Sequence, residues 1–470
     1  MFKKTKIITT IGPSSQNLNI LTKMINAGMD IARLNFSHGF YTYHKKSIDL
    51  IRKASKKTKK PVAILQDLCG PKIRIGDLYK ESIILKPKQK FILTIKECIG
   101  DENKVFINYK NIVNDVKKGD IVLIDDGKIE LKIEKIINED IYCKVIIGGE
   151  LKSKKGVNFP NTSLSISSLT EKDKKDVLFG IKNKVNFIAL SFVKTAEDVV
   201  SLQNILKKEN LDIKIIAKIE TQEALKNIDE ILKEADGVMI ARGDLAVEIG
   251  PEKVPIYQKN IVEKCNKILK PVIIATQMLE SMIKNPFPTR AEVNDIANAI
   301  LDGADAVMLS GETAIGNFPL KAIETMARVS HYTELHFDYE KIFKNEFLSS
   351  KSVNDSVSYA VANVAYKIGA KLIVALTETG YTAKMIARYR PKQTILALTP
   401  NLNTYFALKI NFGCYPYLIS SFKNLDHVIN EAKKIVLKNN LANKNDKIVI
   451  CAGIPFGKSG STNFLIVQSL

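Results

Sequence analysis

Eight short apolar runs, each followed by a helical pattern, constrain this chain more than any other feature. They are KIITTIG (6–12), DIARLNFS (30–37), PVAILQDL (61–68), NFIALSF (186–192), KIIAKIE (214–220), GVMIARGDL (237–245), PVIIATQ (271–277) and DAVMLSG (305–311). Strands that are apolar throughout, rather than on alternate residues, are buried on both faces. That is the mark of a parallel sheet covered by helices. Eight such units predict a closed (β/α)8 TIM barrel. An open doubly wound sheet is the alternative, and the lack of a GxGxxG after the first run counts against it. The intervening helices carry their own signals. In PTRAEVNDIANAILDG, Thr289 and Glu292 have capping-box spacing and Gly303 follows the last turn.

The series is interrupted once. Residues 71–160 hold short strand-like runs (SIILK, KFILTIK, DIVLIDDGKIELKIEKI, DIYCKVII) separated by turns at Asp126–Gly127 and Gly148–Gly149. This predicts a small all-β domain inserted after the third barrel strand, placed to act as a lid. After a polar linker the alternation restarts, with KLIVALT, TILALTP, KIVICAG and NFLIVQSL as strands. The expected division is a barrel from 1–70 and 161–345, an inserted β lid from 71–160, and a C-terminal α/β domain from 346–470.

The net charge of +20 invites a nucleic-acid reading. Composition argues against it. Only eight of the 70 basic residues are Arg, the lysines are spread along the chain, and Trp is absent. Lys, Ile and Asn all have AT-rich codons, so mutational bias on a solvated surface accounts for the charge. No run approaches the length of a membrane span, and the N-terminal apolar run is too short for a signal peptide. The six cysteines are scattered with no CxxC pair, which fits a reducing cytoplasm.

KIIAKIE raises the sharpest question. Side chains alternate along a strand, so Lys218 and Glu220 share a face, and that face continues an apolar one. Burying charge is costly unless it is paired or binds something. In a barrel the chemistry sits where the strands end. The polar residues there are Arg33, Asn35, Ser37, His38, Asp67, Ser191, Lys218, Glu220, Arg242, Asp244, Thr276, Gln277, Ser310 and Glu312, with Lys72 and Arg74 just beyond. Any one of them alone could be a cap or a rim ion pair, but the ring points to a site. Glu220 and Asp244 suit a hard, oxygen-ligated ion such as Mg²⁺. Arg33, Arg74 and Lys218 would face an anion, most naturally a phosphate.

Two turns in the C-terminal domain are also suited to phosphate. Residues 452–459 match the loose [AG]xxxxGK[ST] pattern, but a P-loop must open a helix, and here a strand pattern follows. The glycine- and hydroxyl-rich turn that remains, with TETGYTAK (377–384), predicts a separate anion site for an effector.

The stretches TKIITTIGPSS, ARLNFSHG, GPKIRIG, SKKGVNFP, IIAKIE, IARGDLAVEIG, IIATQMLESM and RAEVNDIANAILDGADAVMLSGETA closely resemble pyruvate kinase, over essentially the whole chain. The resemblance implies the same three domains and transfer of a phosphoryl group from phosphoenolpyruvate to ADP, giving pyruvate and ATP at the end of glycolysis. It implies Mg²⁺ (or Mn²⁺) on Glu220 and Asp244. Arg33, Arg74, Lys218 and Thr276 would be catalytic, and Gly243 and Asp244 would join the substrate site. Arg33, Asn35, His38, Arg74 and Lys155 would meet the nucleotide. Asn35, Ser37, Asp67 and the Leu68 carbonyl would form a monovalent-cation pocket. A phosphorylated effector near Thr377, Thr379, Thr382 and Ser459, a homotetramer and a cytoplasmic location are further family expectations. One departure stands out. Many members need K⁺ and carry glutamate where Gly70-Pro-Lys72-Ile-Arg74 has lysine. Lys72 is therefore expected to supply that positive charge itself. Rival functions are a metal-dependent 2-oxo-acid aldolase or lyase on a barrel, and a non-catalytic basic binding protein.

Overall fold

The computed structural model describes residues 3–160, 162–340, 352–421, 425–455 and 460–470. The eight apolar runs form a closed parallel barrel. Its strands are Lys6–Thr10, Ile31–Asn35, Ala63–Asp67, Phe187–Leu190, Lys214–Ile219, Gly237–Ala241, Val272–Ala275 and Ala306–Leu309. They pair in sequence order, and the first closes on the last in the register Lys6↔Ala306. Ile8, Leu65, Phe187, Ile216 and Met239 pack inside the barrel. Residues one position away, such as Ile7, Ile215 and Val238, pack outward against the helices. That two-sided burial is why the runs are apolar throughout. The helix Arg290–Leu301 starts on the expected capping box, with Thr289 and Glu292 bonding reciprocally.

One strand is shorter than its run. GVMIARGDL leaves the sheet at Ala241, and Arg242–Ile249 is a helix. Asp244 therefore lies in a helix's first turn, not on a strand. Past the rim no neighbouring strand remains to accept the ladder, and the backbone satisfies its own donors by coiling.

The insert is mainly strand. Six strands order as Val157–Asn158, Ile121–Ile124, Ile129–Ile137, Asp140–Ile147, Lys90–Thr94 and Lys104–Phe106, and a second pair joins Gly149–Lys152 to Ser82–Leu85. It has a core of its own built on residues such as Phe91, Leu93, Leu131 and Val145.

Among its described residues the C-terminal α/β domain holds five strands, in the spatial order Cys414–Leu418, Thr394–Thr399, Leu372–Leu376, Lys447–Ala452 and Phe464–Ser469. Only the last is antiparallel. The first of these was absent from the sequence expectation. The helical segment leading into it, residues 402–410, closes the floor of the barrel. Ile410 and Phe406 pack into the barrel's interior cluster, Lys6 Nζ donates to Cys414 O at 2.6 Å, and Arg390 pairs with Asp305 at 3.0 Å. Among the described residues no helix is long and apolar enough to cross a membrane.

Candidate active site

Ile216 faces the barrel interior, so Lys218 and Glu220 continue that line to the upper rim. Glu220 is fully buried, and Lys218 Nζ lies 2.9 Å from its Oε1. The same ammonium is 3.4 Å from Asp67 Oδ1 and donates to Ser191 Oγ at 2.7 Å. Asp67 also receives Arg33 Nε at 2.6 Å, and Arg33 donates to Thr10 Oγ1 at 2.8 Å. Two cations and two carboxylates thus interlock at the tips of the second, third and fifth strands.

The charge states follow from this packing. Burial opposes the Lys218 ammonium, but the carboxylates of Asp67 and Glu220 outweigh it and raise its pKa above the ordinary lysine value. Burial likewise opposes the Asp67 carboxylate, and Lys218 and Arg33 overcome it and depress its pKa. Glu220 is raised, first by burial, while Asp244 adds like-charge repulsion and Lys218 opposes the shift. Its Oε2 accepts the Phe192 N–H at 2.7 Å, whereas the buried Oε1 faces the Lys218 ammonium at 2.9 Å. A buried carboxylate balanced by one ammonium, with a second carboxylate close enough to repel it, is a donor set for a cation. Among the described residues no group of three or more His, Cys, Asp or Glu could hold a metal. Two carboxylates fit an ion that takes its other oxygens from substrate and water.

Around this centre the remaining residues fall into place unevenly. Thr276 is at positive φ (+69°), as is Gln277 (+53°), a strained turn of the kind that clusters at active sites. Its hydroxyl donates to Ala275 O at 2.6 Å and accepts Gly243 N–H at 2.9 Å. Asn35 stands opposite Asp67 in the sheet register, and its Oδ1 accepts Ser37 N–H at 3.1 Å. Leu68 O accepts the Ser191 hydroxyl at 2.7 Å. Exposed His38 is held below the ordinary histidine value by partial burial and then by Arg74, Arg33 and Lys72, which places it in the field of all three. Arg74 Nη1 donates to the Lys154 carbonyl at 3.1 Å. Lys155 pairs with Asp125 inside the lid at 2.8 Å.

Other residues depart from expectation. Arg242 turns away to Asp295 at 2.7 Å and to the Thr276 carbonyl at 2.8 Å. Buried Glu312 accepts Leu279 N–H and Ser310 N–H and so braces the rim. Lys72, expected beside Asn35, Ser37 and Asp67, instead pairs with Asp244 at 3.6 Å. It follows the tight turn at Gly70, where φ is +66° and a Cβ would come within 2.9 Å of Ser191. The contact of Asn158 Nδ2 with Glu248 Oε1, at 3.1 Å, also ties lid to rim and had no sequence signal. A cavity of about 380 Å³ lies between them, lined by Lys72, Asn158, Phe192 and Asp244 among others.

In the C-terminal domain, Thr377 N–H donates to Leu398 O at 3.0 Å, and the buried Thr382 hydroxyl meets Thr462 Oγ1 at 3.1 Å. Thr379 follows on the same turn and lies just before Gly380, the N-cap of the helix Tyr381–Ala387. Ser459 lies outside the described residues. The segment around it leads to the strand Phe464–Ser469, not to a helix.

Comparison with known proteins decides the family. Residues 2–323 match the family described as pyruvate kinase, barrel domain, and residues 355–468 match pyruvate kinase, alpha/beta domain. The chain belongs to the pyruvate kinase family. It is 44% identical over 473 residues to a pyruvate kinase of Clostridium perfringens, covering 100% of both chains. It is also 44% identical to one from Staphylococcus aureus, covering 99% of this chain and 80% of that one. A crystal structure of a pyruvate kinase from Cryptosporidium parvum superposes with a TM-score of 0.93 at 38% identity, covering 99% of this chain and 96% of that one. Pyruvate kinases are glycolytic transferases, with phosphoenolpyruvate and ADP as substrates and pyruvate and ATP as products. Membership also implies a divalent cation and usually K⁺.

Proposed function

We propose that the rim built on Lys218 performs the family's phosphoryl transfer, with Glu220 and Asp244 holding Mg²⁺ or Mn²⁺. The observation that carries this reading is the 2.9 Å contact of Lys218 Nζ with a fully buried carboxylate that a second carboxylate, Asp244, also repels. The bond between the phosphorus and the enol oxygen of phosphoenolpyruvate breaks, and an oxygen of the ADP β-phosphate bonds to that phosphorus. The enolate left behind takes a proton at its methylene carbon to become pyruvate. Little covalent help is needed; positioning and charge neutralisation are. A divalent cation, when bound, supplies Lewis-acid polarisation of phosphoryl oxygens.

Lys218 meets negative charge where it develops, first on the phosphoryl group in flight and then on the enolate oxygen, so its stabilisation favours the transition state. Arg33 and Arg74 hold substrate phosphate. Gly243 and Asp244 border the substrate, and Thr276 stands near the proton delivered to the enolate. Asn35, His38 and Lys155 meet the nucleotide. Asn35, Ser37, Asp67 and Leu68 O form the monovalent-cation pocket, and Lys72, from its place beside Asp244, supplies the positive charge to that side of the site. Thr377, Thr379, Thr382 and Ser459 belong to an effector site for a phosphorylated molecule. The domain limits at 70/71, 160/161 and 345/346, a cytoplasmic homotetramer and independence from K⁺ complete the reading.

The test is pyruvate release from phosphoenolpyruvate with and without ADP, Mg²⁺ and K⁺. Release that ignores ADP would overturn the proposed chemistry and favour a lyase.

A further inference from the structure

A second cleft lies at the opposite end of the barrel from the catalytic rim. Its volume is about 650 Å³, within the range of small-molecule sites. Its walls come from the C-terminal end of the helix Tyr41–Thr58, the segments entering the third, fourth and fifth strands, and the helix Leu402–Ala407 of the C-terminal domain. The cleft therefore straddles two domains.

Its lining is two-sided in character. Val62, Ile213, Leu402 and Phe406 give an apolar face, and Leu402 is 55% exposed. Arg52, Lys56, Lys59 and Lys184 give a cationic one. Among the described residues none of these four forms an ion pair, and the lining's lone acid, Asp212, is already paired with Lys214. Arg52 Nη2 is held by carbonyls instead, Asn183 O at 2.5 Å and Lys184 O at 3.3 Å. Favourable interaction with a helix dipole accounts for Lys56, at the end of its helix. It does not account for Arg52, Lys59 and Lys184 converging on one concavity beside uncovered apolar surface.

We infer that this cleft binds a small anion that joins a flat apolar body to a phosphate, an aromatic phosphomonoester in chemical class. The phosphate answers the four cations, since Arg and Lys are the residues that recognise phosphate. The flat body covers Leu402 and Phe406. Because the ligand touches both domains, it holds the C-terminal domain to the floor of the barrel.

The test is a fluorescence titration of the full chain with 1-naphthyl phosphate. Saturable binding is expected that persists in saturating ADP, phosphoenolpyruvate and Mg²⁺, and that weakens as salt rises. Lys56→Glu combined with Lys184→Glu should weaken it at least tenfold, with thermal unfolding of the free protein lowered only slightly, by the lost helix-end interaction of Lys56, because both side chains are exposed. Leu402→Asp is the independent variant and should weaken it through the apolar wall. Inorganic phosphate and 1-naphthol, each alone, should compete poorly. The inference is overturned by no binding, by displacement with the substrates, by binding that survives both variants, or by phosphate alone competing as well as the ester.

Discussion

Lys72 Nζ stands 3.6 Å from Asp244 Oδ1, so a residue at the root of the lid reaches one of the two carboxylates proposed to hold the divalent cation. Lys72 also helps depress the pKa of His38, after burial and the two arginines, so its charge is felt on the side of Asn35 and Ser37 as well. An ammonium on that side repels K⁺, by roughly 4 kcal/mol were the two to approach within about 4 Å at an effective dielectric of 20 and by less at longer range. Activity with Mg²⁺ and tetramethylammonium as the only monovalent cation should therefore be a large share of the maximum. Lys72→Glu should restore dependence on K⁺. A wild-type enzyme nearly inactive without K⁺ would refute the substitution of charge.

The metal pair makes a separate demand. Glu220→Gln or Asp244→Asn should lower kcat by at least about a hundredfold and raise the Mg²⁺ concentration needed for half-activity, with the circular dichroism spectrum unchanged. Near-normal turnover in either variant would remove that residue from the site.

Lys218 is proposed to act on charge that appears only during reaction. Lys218→Met should cut kcat by on the order of a thousandfold, while KM for phosphoenolpyruvate moves little. The opposite split, a higher KM at unchanged kcat, would make Lys218 a uniform binder.

Lys409 lies under the barrel, and its pKa is pulled down to about 8, first by burial and then by Lys6, with Lys3 adding to the effect and Asp30 opposing it. The folded chain releases this proton more readily than the unfolded one. The charged form is thus disfavoured at neutral pH, and stability recovers as pH rises from about 8 towards the unfolded lysine value. Lys409→Met should raise the Tm at pH 7, and its advantage should shrink by pH 10. An advantage that is flat with pH would mean that packing, not charge, sets the effect.

The barrel was legible because each of its strands carries apolar residues on both faces, and KIIAKIE showed the site because Lys218 and Glu220 interrupt that pattern together. What the residues could not show was who meets whom. Lys72 and Asp244 are far apart in sequence, and their contact depends on how the lid is hung. Asp244 itself looked like a strand residue, since a first helical turn after a strand has no composition of its own. The strand Cys414–Leu418 escaped for a different reason. It lies at the edge of its sheet and carries Pro416. A proline inside a run argues against a strand unless the strand is at an edge, and one sequence does not reveal where the edges are.

The floor of the barrel has a consequence for synthesis. The last barrel strand ends at Leu309, yet Phe406 and Ile410, which pack against the interior from below, come about a hundred residues later. At roughly 5–20 residues per second, the ribosome takes on the order of 5–20 s to deliver them. For that interval the nascent chain holds a closed ring of strands whose lower mouth is greasy and wet, which makes this the moment when a chaperone has most to gain by covering it.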